Sequence, residues 1–331
     1  MKNTLIFISM ILCLYLVGLF INHKKKVNIQ NYDFMSRDHS TIYRGIAATI
    51  IMLQHVAGGF GVRYLTPLGG VGVSIFLISS GYGLSESKKA NGVSCKKYWL
   101  SKLVRVILPY LLVALAVYVY DLCFGYKFEI PYYWYIPFMF FWYVVFYFIA
   151  IIPFLYQHKL FIFAVVSLLV FLFGNSLQSE QAVSFLIGIL ISNYDFKTIT
   201  CKKRYLFLFL LVGISLIGLK QLPVLRSIEG SYIWLVLQLI MKVSLALFFI
   251  GISYKWQRIF NSTAVYLTGV ISYEFYLVHY RILNLPTKGL VGMFLFIITT
   301  FLVSSLLRKL TDIIMSFYKA KVTVQNISSL K

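Results

Sequence analysis

Acidic residues are scarce in this 331-residue chain, which has only 10 Asp and Glu beside 31 Lys and Arg. Charged residues make up 12% of the sequence, about half the share found in soluble globular proteins, and 60% of the residues are hydrophobic. This composition excludes a water-soluble domain. Because the basic residues lie between apolar runs, the net charge of +21 indicates a membrane protein with basic loops rather than a nucleic-acid-binding surface.

Cysteine is also rare, and its pattern lacks the spacings of known structural sites. There is no C-x-x-C pair, and no histidine stands at zinc-finger spacing from a cysteine. The four isolated cysteines are Cys13, Cys95, Cys123 and Cys201. The sequence therefore predicts neither a disulfide framework nor a metal site.

Long apolar runs fill most of the chain. A helix needs about 20 mostly apolar residues to cross the hydrocarbon core of a bilayer. Eleven stretches qualify, and they predict an all-α, polytopic transmembrane helix bundle of about 11 spans. The predicted spans lie near residues 4–21, 42–60, 67–84, 104–122, 136–155, 160–174, 182–193, 205–219, 232–252, 264–283 and 290–307.

The distribution of Lys and Arg predicts the orientation. With the N-terminus outside, the cytoplasmic connections hold 22 basic residues, whereas the N-terminal tip and the outer connections hold six. Cytoplasmic loops are enriched in Lys and Arg, so we expect the N-terminus outside and the C-terminus in the cytoplasm. The membrane is expected to be the plasma membrane of a bacterium. The cytoplasmic connections are then 22–41, 85–105, 156–159, 194–204, 253–263 and 308–331.

The connections leave no room for a separate soluble domain. We expect a membrane domain at 42–307, between an N-terminal anchor with a basic cytoplasmic loop at 1–41 and a basic cytoplasmic tail at 308–331. In a signal peptide the basic residues precede the apolar stretch, whereas here the main basic cluster follows the first apolar stretch. This order predicts an anchor that is retained in the membrane. Any chemistry is therefore expected inside the spans or at their rims.

Ionisable residues within spans are the first functional candidates, because charge is costly in lipid. Arg44 and His55 are eleven positions apart, which places them on one helix face and roughly 16 Å apart along the axis. A histidine in a partly dry cavity suits the role of general base, although one helix–helix hydrogen bond would also explain it. Arg44 would also fit a basic anchor at the end of a span.

The tenth predicted span, 264–283, carries Glu274, His279 and Arg281. On a straight helix Glu274 lies on a different face from His279, so it is expected to pair with Arg281 or to reach another helix. A pair that only fixes packing is the alternative. His279 and His55 have similar predicted depths, which indicates a shared cavity.

Two other ionisable residues lie within spans. Lys242 has no evident partner in the sequence, so we expect it to line a solvated cavity wall or to be freed from the lipid by a tilt of its helix. Asp121 is close to the outer end of its span, which predicts a position in the outer headgroup zone.

Five segments carry recognisable motifs. They are Arg44 to His55, similar to R-x10-H; Gly70 to Tyr82, similar to G-x-x-x-F-F-x-x-S-G-F/Y; Lys102 to Arg105 with Pro109-Tyr110, similar to R-x-x-R…P-Y; Phe141-Trp142-Tyr143, similar to W-F/Y-L; and Ile271 to His279, similar to S-Y-x-x-Y-L-x-H. In this order the motifs resemble the membrane acyltransferase-3 family over about residues 42–307. Lys102 stands where the family has Arg, which keeps the charge but loses the bidentate fork.

The resemblance implies a core of ten helices with both ends in the cytoplasm, so that the span at 4–21 is an addition. It also implies an O-acyltransferase that uses acyl-CoA, with acetyl-CoA favoured. The implied acceptor is a hydroxyl of a cell-surface polysaccharide or of its lipid-linked oligosaccharide precursor. Membrane lipids surround the protein, and no nucleic acid or metal is expected.

On this interpretation His55 is the general base, and His279 and Glu274 are further catalytic candidates. Six basic residues in the connection 85–105 face the cytoplasmic donor, whose phosphates favour Lys and Arg. The residues expected to bind the donor are Arg44, Lys102 and Arg105.

Two other function classes stay open at this point. A transporter or flippase of lipid-linked sugars would also have about eleven spans and buried charges, but such proteins often show repeated halves and broken helices. A non-catalytic receptor would not need a histidine and an arginine on one helix face.

Overall fold

The computed structural model describes residues 31–59, 61–62, 65–126, 134–283 and 289–328. These ranges are helical, without β-strands, which confirms the all-α class for the part of the chain described. The predicted span at 4–21 lies outside them. The α-helices are α1 Arg37–Gly59, α2 Leu68–Asn91, α3 Cys95–Lys102, α4 Leu108–Cys123, α5 Tyr135–Ile151, α6 Pro153–Gln157, α7 Lys159–Phe173, α8 Ser176–Ser179, α9 Ser184–Asn193, α10 Phe196–Cys201, α11 Lys203–Leu219, α12 Pro223–Arg226, α13 Tyr232–Lys255, α14 Gln257–Phe260, α15 Thr263–Val270, α16 Ser272–Leu283 and α17 Gly289–Ser328.

Four helical segments among the described residues are long and apolar enough to cross a membrane. They are Leu68–Asn91, Cys95–Cys123, Tyr232–Lys255 and Val291–Ser316. Two shorter apolar helices, α5 and α7, coincide with further predicted spans. The polytopic character is therefore supported, whereas the count of eleven spans stays a prediction.

The structure differs from the predicted spans in three places. The stretch 264–283 is not one helix but α15 and α16, which are separated at Ile271. The span 136–155 is interrupted at Ile152, because Pro153 cannot donate a helical hydrogen bond to the preceding turn. The last span continues well beyond residue 307, since α17 extends to Ser328.

The chain forms two compact units. The first comprises Met1–Gly92 and Tyr135–Val270, and the second comprises Val93–Trp134 and Ile271–Lys331. In the first unit, α2 packs against α1, α9 and α13. Its interior is filled by apolar side chains from these helices, including Tyr43, Ile75 and Met241.

Glycines allow the helices of the first unit to approach at backbone distance. A Cβ atom on Gly81 would lie 2.2 Å from the carbonyl oxygen of Phe185, and one on Gly188 would lie 2.1 Å from that of Ile78. At the crossing of α1 and α15, a Cβ atom on Gly45 would lie 2.1 Å from the carbonyl oxygen of Val265. Small residues at helix contacts are typical of membrane proteins, where close packing replaces the hydrophobic effect.

In the second unit, a π-helical segment, Leu103–Ile107, joins α3 to α4 in one continuous run. Pro109, near the start of α4, lacks the N–H group that would continue the regular ladder, and the Leu108 N–H bonds to the Leu103 carbonyl five residues back. The Tyr273 hydroxyl of α16 donates to the Val106 carbonyl at 2.8 Å. This bond ties α16 to the π-helical segment.

Candidate active site

Helix α1 of the first unit carries both Arg44 and His55 without a break, as the sequence predicts. The Arg44 guanidinium donates from Nε to the Ser40 carbonyl at 3.1 Å and from Nη2 to the Thr41 hydroxyl at 3.5 Å, so the side chain bends toward the start of the helix. His55 is half-buried in the penultimate turn. The two groups are thus separated along one helix by roughly 16 Å.

Arg44 lies in a polar cluster built from three helices. It interacts electrostatically with the hydroxyl groups of Tyr43 and Tyr143. The Tyr43 hydroxyl donates to Ser79 at 3.3 Å, and the Tyr143 hydroxyl is 3.4 Å from that of Ser80. We call these five residues the Arg44 cluster. The cluster brings together three of the motif segments, those at 44–55, 70–82 and 141–143. It contains one cation and four hydroxyl groups, which are groups that can bind a polar ligand.

A second polar region of the same unit centres on Lys242, whose ammonium group pairs with the Glu180 carboxylate. Both side chains are nearly excluded from solvent, with exposures of 6% and 10%. The expectation that Lys242 lines a solvated wall is therefore wrong. Its partner comes from the connection after α8, and a Cβ atom on Gly70 would lie 2.3 Å from the Lys242 Cε atom. The pair is thus packed directly against the backbone of α2.

Lys220 extends this region at the end of α11. It is 3% exposed, and its ammonium group lies 4.4 Å from the centroid of the Trp234 ring. Burial and, to a smaller extent, the like charge of Lys242 lower the pKa of Lys220 to about 8, although the Glu180 carboxylate opposes this shift. On α13, the buried Gln238 Oε1 has no hydrogen-bond partner among the residues described. The region therefore contains a buried cation and a buried amide oxygen beside the Lys242–Glu180 pair.

In the second unit, Lys102 and Arg105 lie close enough to interact electrostatically. Lys102 ends α3, where its ammonium group lies 5.3 Å from the centroid of the Tyr98 ring, and Arg105 is exposed on the π-helical segment. The two cations repel each other. π-Helical turns are frequent at functional sites, and an anion bound between these cations would relieve their repulsion.

His279 is buried on α16 of the second unit, at 3% exposure. Its Nδ1 atom is 2.7 Å from the Tyr276 carbonyl oxygen and 3.3 Å from that of Phe275. A carbonyl oxygen only accepts hydrogen bonds, so Nδ1 carries the proton of the neutral ring and Nε2 is the basic nitrogen. This tautomer suits either a base or a residue that accepts a hydrogen bond from a substrate hydroxyl.

Glu274 does not pair with Arg281 or with His279. Its buried carboxylate accepts from the Arg308 Nη1 atom of α17 at 3.4 Å, and Oε2 has no hydrogen-bond partner within the described ranges. Arg281 instead lies 3.9 Å from Asp121, whose side chain is buried on α4. These contacts connect α16 to its neighbours in the second unit, and they favour a packing role for Glu274.

The sequence profile of the acyltransferase-3 family, described as an acyltransferase domain, matches residues 41–309, which is well over half of the chain. This protein belongs to the acyltransferase-3 family. No curated protein and no solved structure matches the chain. Together with the apolar helices, membership makes the protein a membrane acyltransferase, which requires an acyl donor and an acceptor.

Within this acyltransferase, the candidate residues are divided between the two units. Arg44 and His55 lie in the first unit, whereas Lys102, Arg105 and His279 lie in the second. The shared cavity of the two histidines stays a prediction. In the part of the chain that the structure describes, no group of three or more His, Cys, Asp or Glu residues is placed to hold a metal ion.

Sequence reasoning passed over His39, the fully buried histidine of α1. Its Nδ1 atom accepts from the Met35 N–H at 2.9 Å, so Nε2 carries the proton and donates to the Ile250 carbonyl at 3.2 Å. Both ring nitrogens are thus engaged by the backbone. His39 therefore has a structural role. The sequence distinguishes it from His55 and His279 only by its position before the predicted span.

The chemical role of His279 is separable from its packing role by one substitution. In His279→Asn, the side-chain amide reaches the position of Nδ1 and keeps the hydrogen bond to the Tyr276 carbonyl, but the basic Nε2 atom is lost. We expect stable protein with acyl transfer reduced by at least tenfold. Initial rates in membranes containing equal amounts of each variant test this. Wild-type rates in His279→Asn would leave only the packing role.

Proposed function

We propose that this acyltransferase moves an acetyl group from acetyl-CoA to a hydroxyl of a cell-surface polysaccharide or of its lipid-linked precursor, with His55 as general base. The observation that carries the proposal is the unbroken helix α1, which holds Arg44 and His55 in a chain whose family is established. Arg44, near the start of α1, belongs to the end that the basic connections place toward the cytoplasm. His55 belongs to the opposite end.

The reaction needs a base on the acceptor side. His55 takes the proton of the sugar hydroxyl as its oxygen attacks the thioester carbonyl, and the new C–O bond forms as the C–S bond breaks. The CoA thiolate leaves, and it receives the proton from the His55 imidazolium directly or through water. No oxidant, reductant or metal is needed for this balance.

The Arg44 cluster suits the donor side of this reaction. Its guanidinium provides charge-assisted hydrogen bonds for phosphate or carbonyl oxygens, and the hydroxyls of Tyr143 and Ser80 add uncharged donors.

One observation favours the transporter alternative. The interruption at Ile271 between α15 and α16 is a feature common in transporters, whose substrate sites use broken helices. A flippase moves a glycan without forming an ester, so the two functions give different products. Family membership favours the acyltransferase.

Membranes containing the protein, incubated with acetyl-labelled acetyl-CoA and a lipid-linked or polymeric glycan, test the proposal. We expect label in the glycan and an equal amount of released CoA thiol, neither of which appears with His55→Ala. Release of the label by mild base would identify the bond as an ester. Transbilayer movement of the glycan without label would support the flippase instead.

The arginine candidates are tested by substitutions that conserve charge. Arg44→Lys and Arg105→Lys keep the positive charge but lose the planar fork, so we expect each to raise KM for acetyl-CoA by about tenfold, the value of one charge-assisted hydrogen bond. Rate is measured against acetyl-CoA concentration at matched protein levels. A basic anchor at the end of a span can be Lys as well as Arg. Wild-type dependence of rate on acetyl-CoA concentration in both variants would therefore indicate that the two arginines are only basic anchors.

A further inference from the structure

A groove of about 380 Å³ opens at the surface of the first unit, between the connection that joins α6 to α7 and the end of α9. It is lined by Gln157–Phe161, Asn193 and Tyr194. Small-molecule sites usually have volumes of a few hundred Å³. Both bordering connections belong to the face that the basic residues place in the cytoplasm.

Three lysines gather beside this groove. The ammonium groups of Lys159 and Lys88 lie 4.2 and 5.3 Å from the centroid of the same Tyr156 ring. Lys89 bonds to the Ser192 carbonyl at the end of α9 and repels Lys159 electrostatically. Such a concentration of positive charge favours an anionic ligand.

The nearby carboxylates are already engaged. Glu86 accepts from Lys89 at 2.8 Å and from the Ser192 hydroxyl at 2.6 Å. Asp195 accepts from the Thr198 hydroxyl at 2.8 Å and interacts with Lys197. The ammonium groups of Lys88 and Lys159, by contrast, face an aromatic ring, which leaves N–H donors for phosphate oxygens.

We infer that this groove binds the nucleotide end of the acyl donor, with the 3′-phosphate of its adenosine on Lys88 and Lys159. The exposed Tyr194 ring and the His158 ring provide flat faces for adenine. The inference rests on the proposed use of acyl-CoA and adds a subsite to it.

Helix α2 relates the groove to the Arg44 cluster within the same unit. Lys88 follows Ser80 by eight helical residues, a separation of roughly 12 Å along the axis. A donor whose nucleotide lies in the groove can therefore extend its pantetheine arm along α2 toward Arg44. The groove would hold the nucleotide of the donor, and the Arg44 cluster would contact its pantetheine arm.

The 3′-phosphate provides the first test, because acetyl-dephospho-CoA lacks only this group. We expect Lys88→Ala and Lys159→Ala each to raise KM for acetyl-CoA by about tenfold, with kcat nearly unchanged. KM for acetyl-dephospho-CoA should change much less in at least one of the two variants. Lys203→Ala, which removes an exposed lysine of the same unit, should match wild type with both donors.

Three outcomes of these rates would overturn the inference. Equal KM changes for both donors would assign the lysines to general attraction of anions to the membrane surface. A rise in KM for acetyl-CoA of the same size in Lys203→Ala would also assign the lysines to general attraction. The same KM for acetyl-CoA and acetyl-dephospho-CoA in wild type would exclude a 3′-phosphate subsite.

Binding of adenosine 3′,5′-bisphosphate to the purified full chain separates this inference from the proposed function. We expect wild type to bind the bisphosphate more tightly than adenosine 5′-monophosphate, and Lys159→Ala to lose about tenfold. If the bisphosphate binds in this way but no donor supports acetyl transfer, the proposed reaction is rejected and the nucleotide site is kept. Acetyl transfer with no bisphosphate binding, or binding unaffected by Lys159→Ala, would reject the site alone.

Discussion

His55→Ala is expected to lower acyl transfer by about 10²–10⁴-fold, the usual contribution of a positioned general base. The half-buried position of His55 in the penultimate turn of α1 leaves its loss tolerable for folding. The protein should therefore accumulate in the membrane as wild type does. The measurement is the initial rate of acetyl transfer, normalised to the amount of folded protein.

His55→Gln provides the matched control for this prediction. Glutamine retains a hydrogen-bonding amide near the position of Nε2 but cannot take a proton, so it should be as inactive as alanine. Activity restored by glutamine would assign His55 to hydrogen bonding alone. Near-normal product from His55→Ala would exclude it as the base.

Lys242→Met is expected to destabilise the first unit by about 3–5 kcal/mol, because it leaves the buried Glu180 carboxylate without its counter-ion. Glu180→Gln should have a similar effect through the unpaired ammonium group. In the double variant neither charge is buried, so most of the stability should return. Thermal unfolding in detergent of the four proteins provides the double-mutant cycle.

Lys255→Met makes the same chemical change at the exposed end of α13. The Lys255 ammonium group donates to the Cys201 carbonyl at 3.0 Å, so the substitution should cost no more than about 1 kcal/mol, the value of one exposed hydrogen bond. Single variants of the buried pair as stable as Lys255→Met, or a double variant less stable than either, would contradict the account of this pair.

Local sequence patterns were sufficient where the determining interactions are local. Apolar runs locate the long helices, and the interval between Arg44 and His55 places both on one helix, as the structure has them. These features depend on residues within a few turns of one another, which a helical period describes.

Partners from distant parts of the chain could not be predicted in this way. Lys242 meets Glu180 from a connection 62 residues earlier, and Glu274 meets Arg308 34 residues later. Hydropathy describes how apolar a segment is, but it contains no information on which helices become neighbours. The same limit applies to Tyr143, whose motif was recognised without its contact to Ser80.

The break at Ile271 has a different cause. Gly269 approaches the backbone of α1 so closely that a Cβ atom would lie 1.8 Å from the Thr41 carbonyl oxygen. Glycine also weakens a helix by about 1 kcal/mol relative to alanine. Close packing against α1 thus requires a glycine two residues before the interruption. The apolar run contains no sign of this contact, and it therefore predicts a continuous span.

NMR of the surface polysaccharide tests the central claim most directly. Polysaccharide is isolated from cells that carry the gene, from cells that lack it, and from the latter complemented with wild type or with His55→Ala. We predict acetyl ester signals in the first sample and in the wild-type complement, and their absence from the other two. Acetyl ester signals of equal intensity in all four samples would contradict an acetyltransferase acting on this glycan.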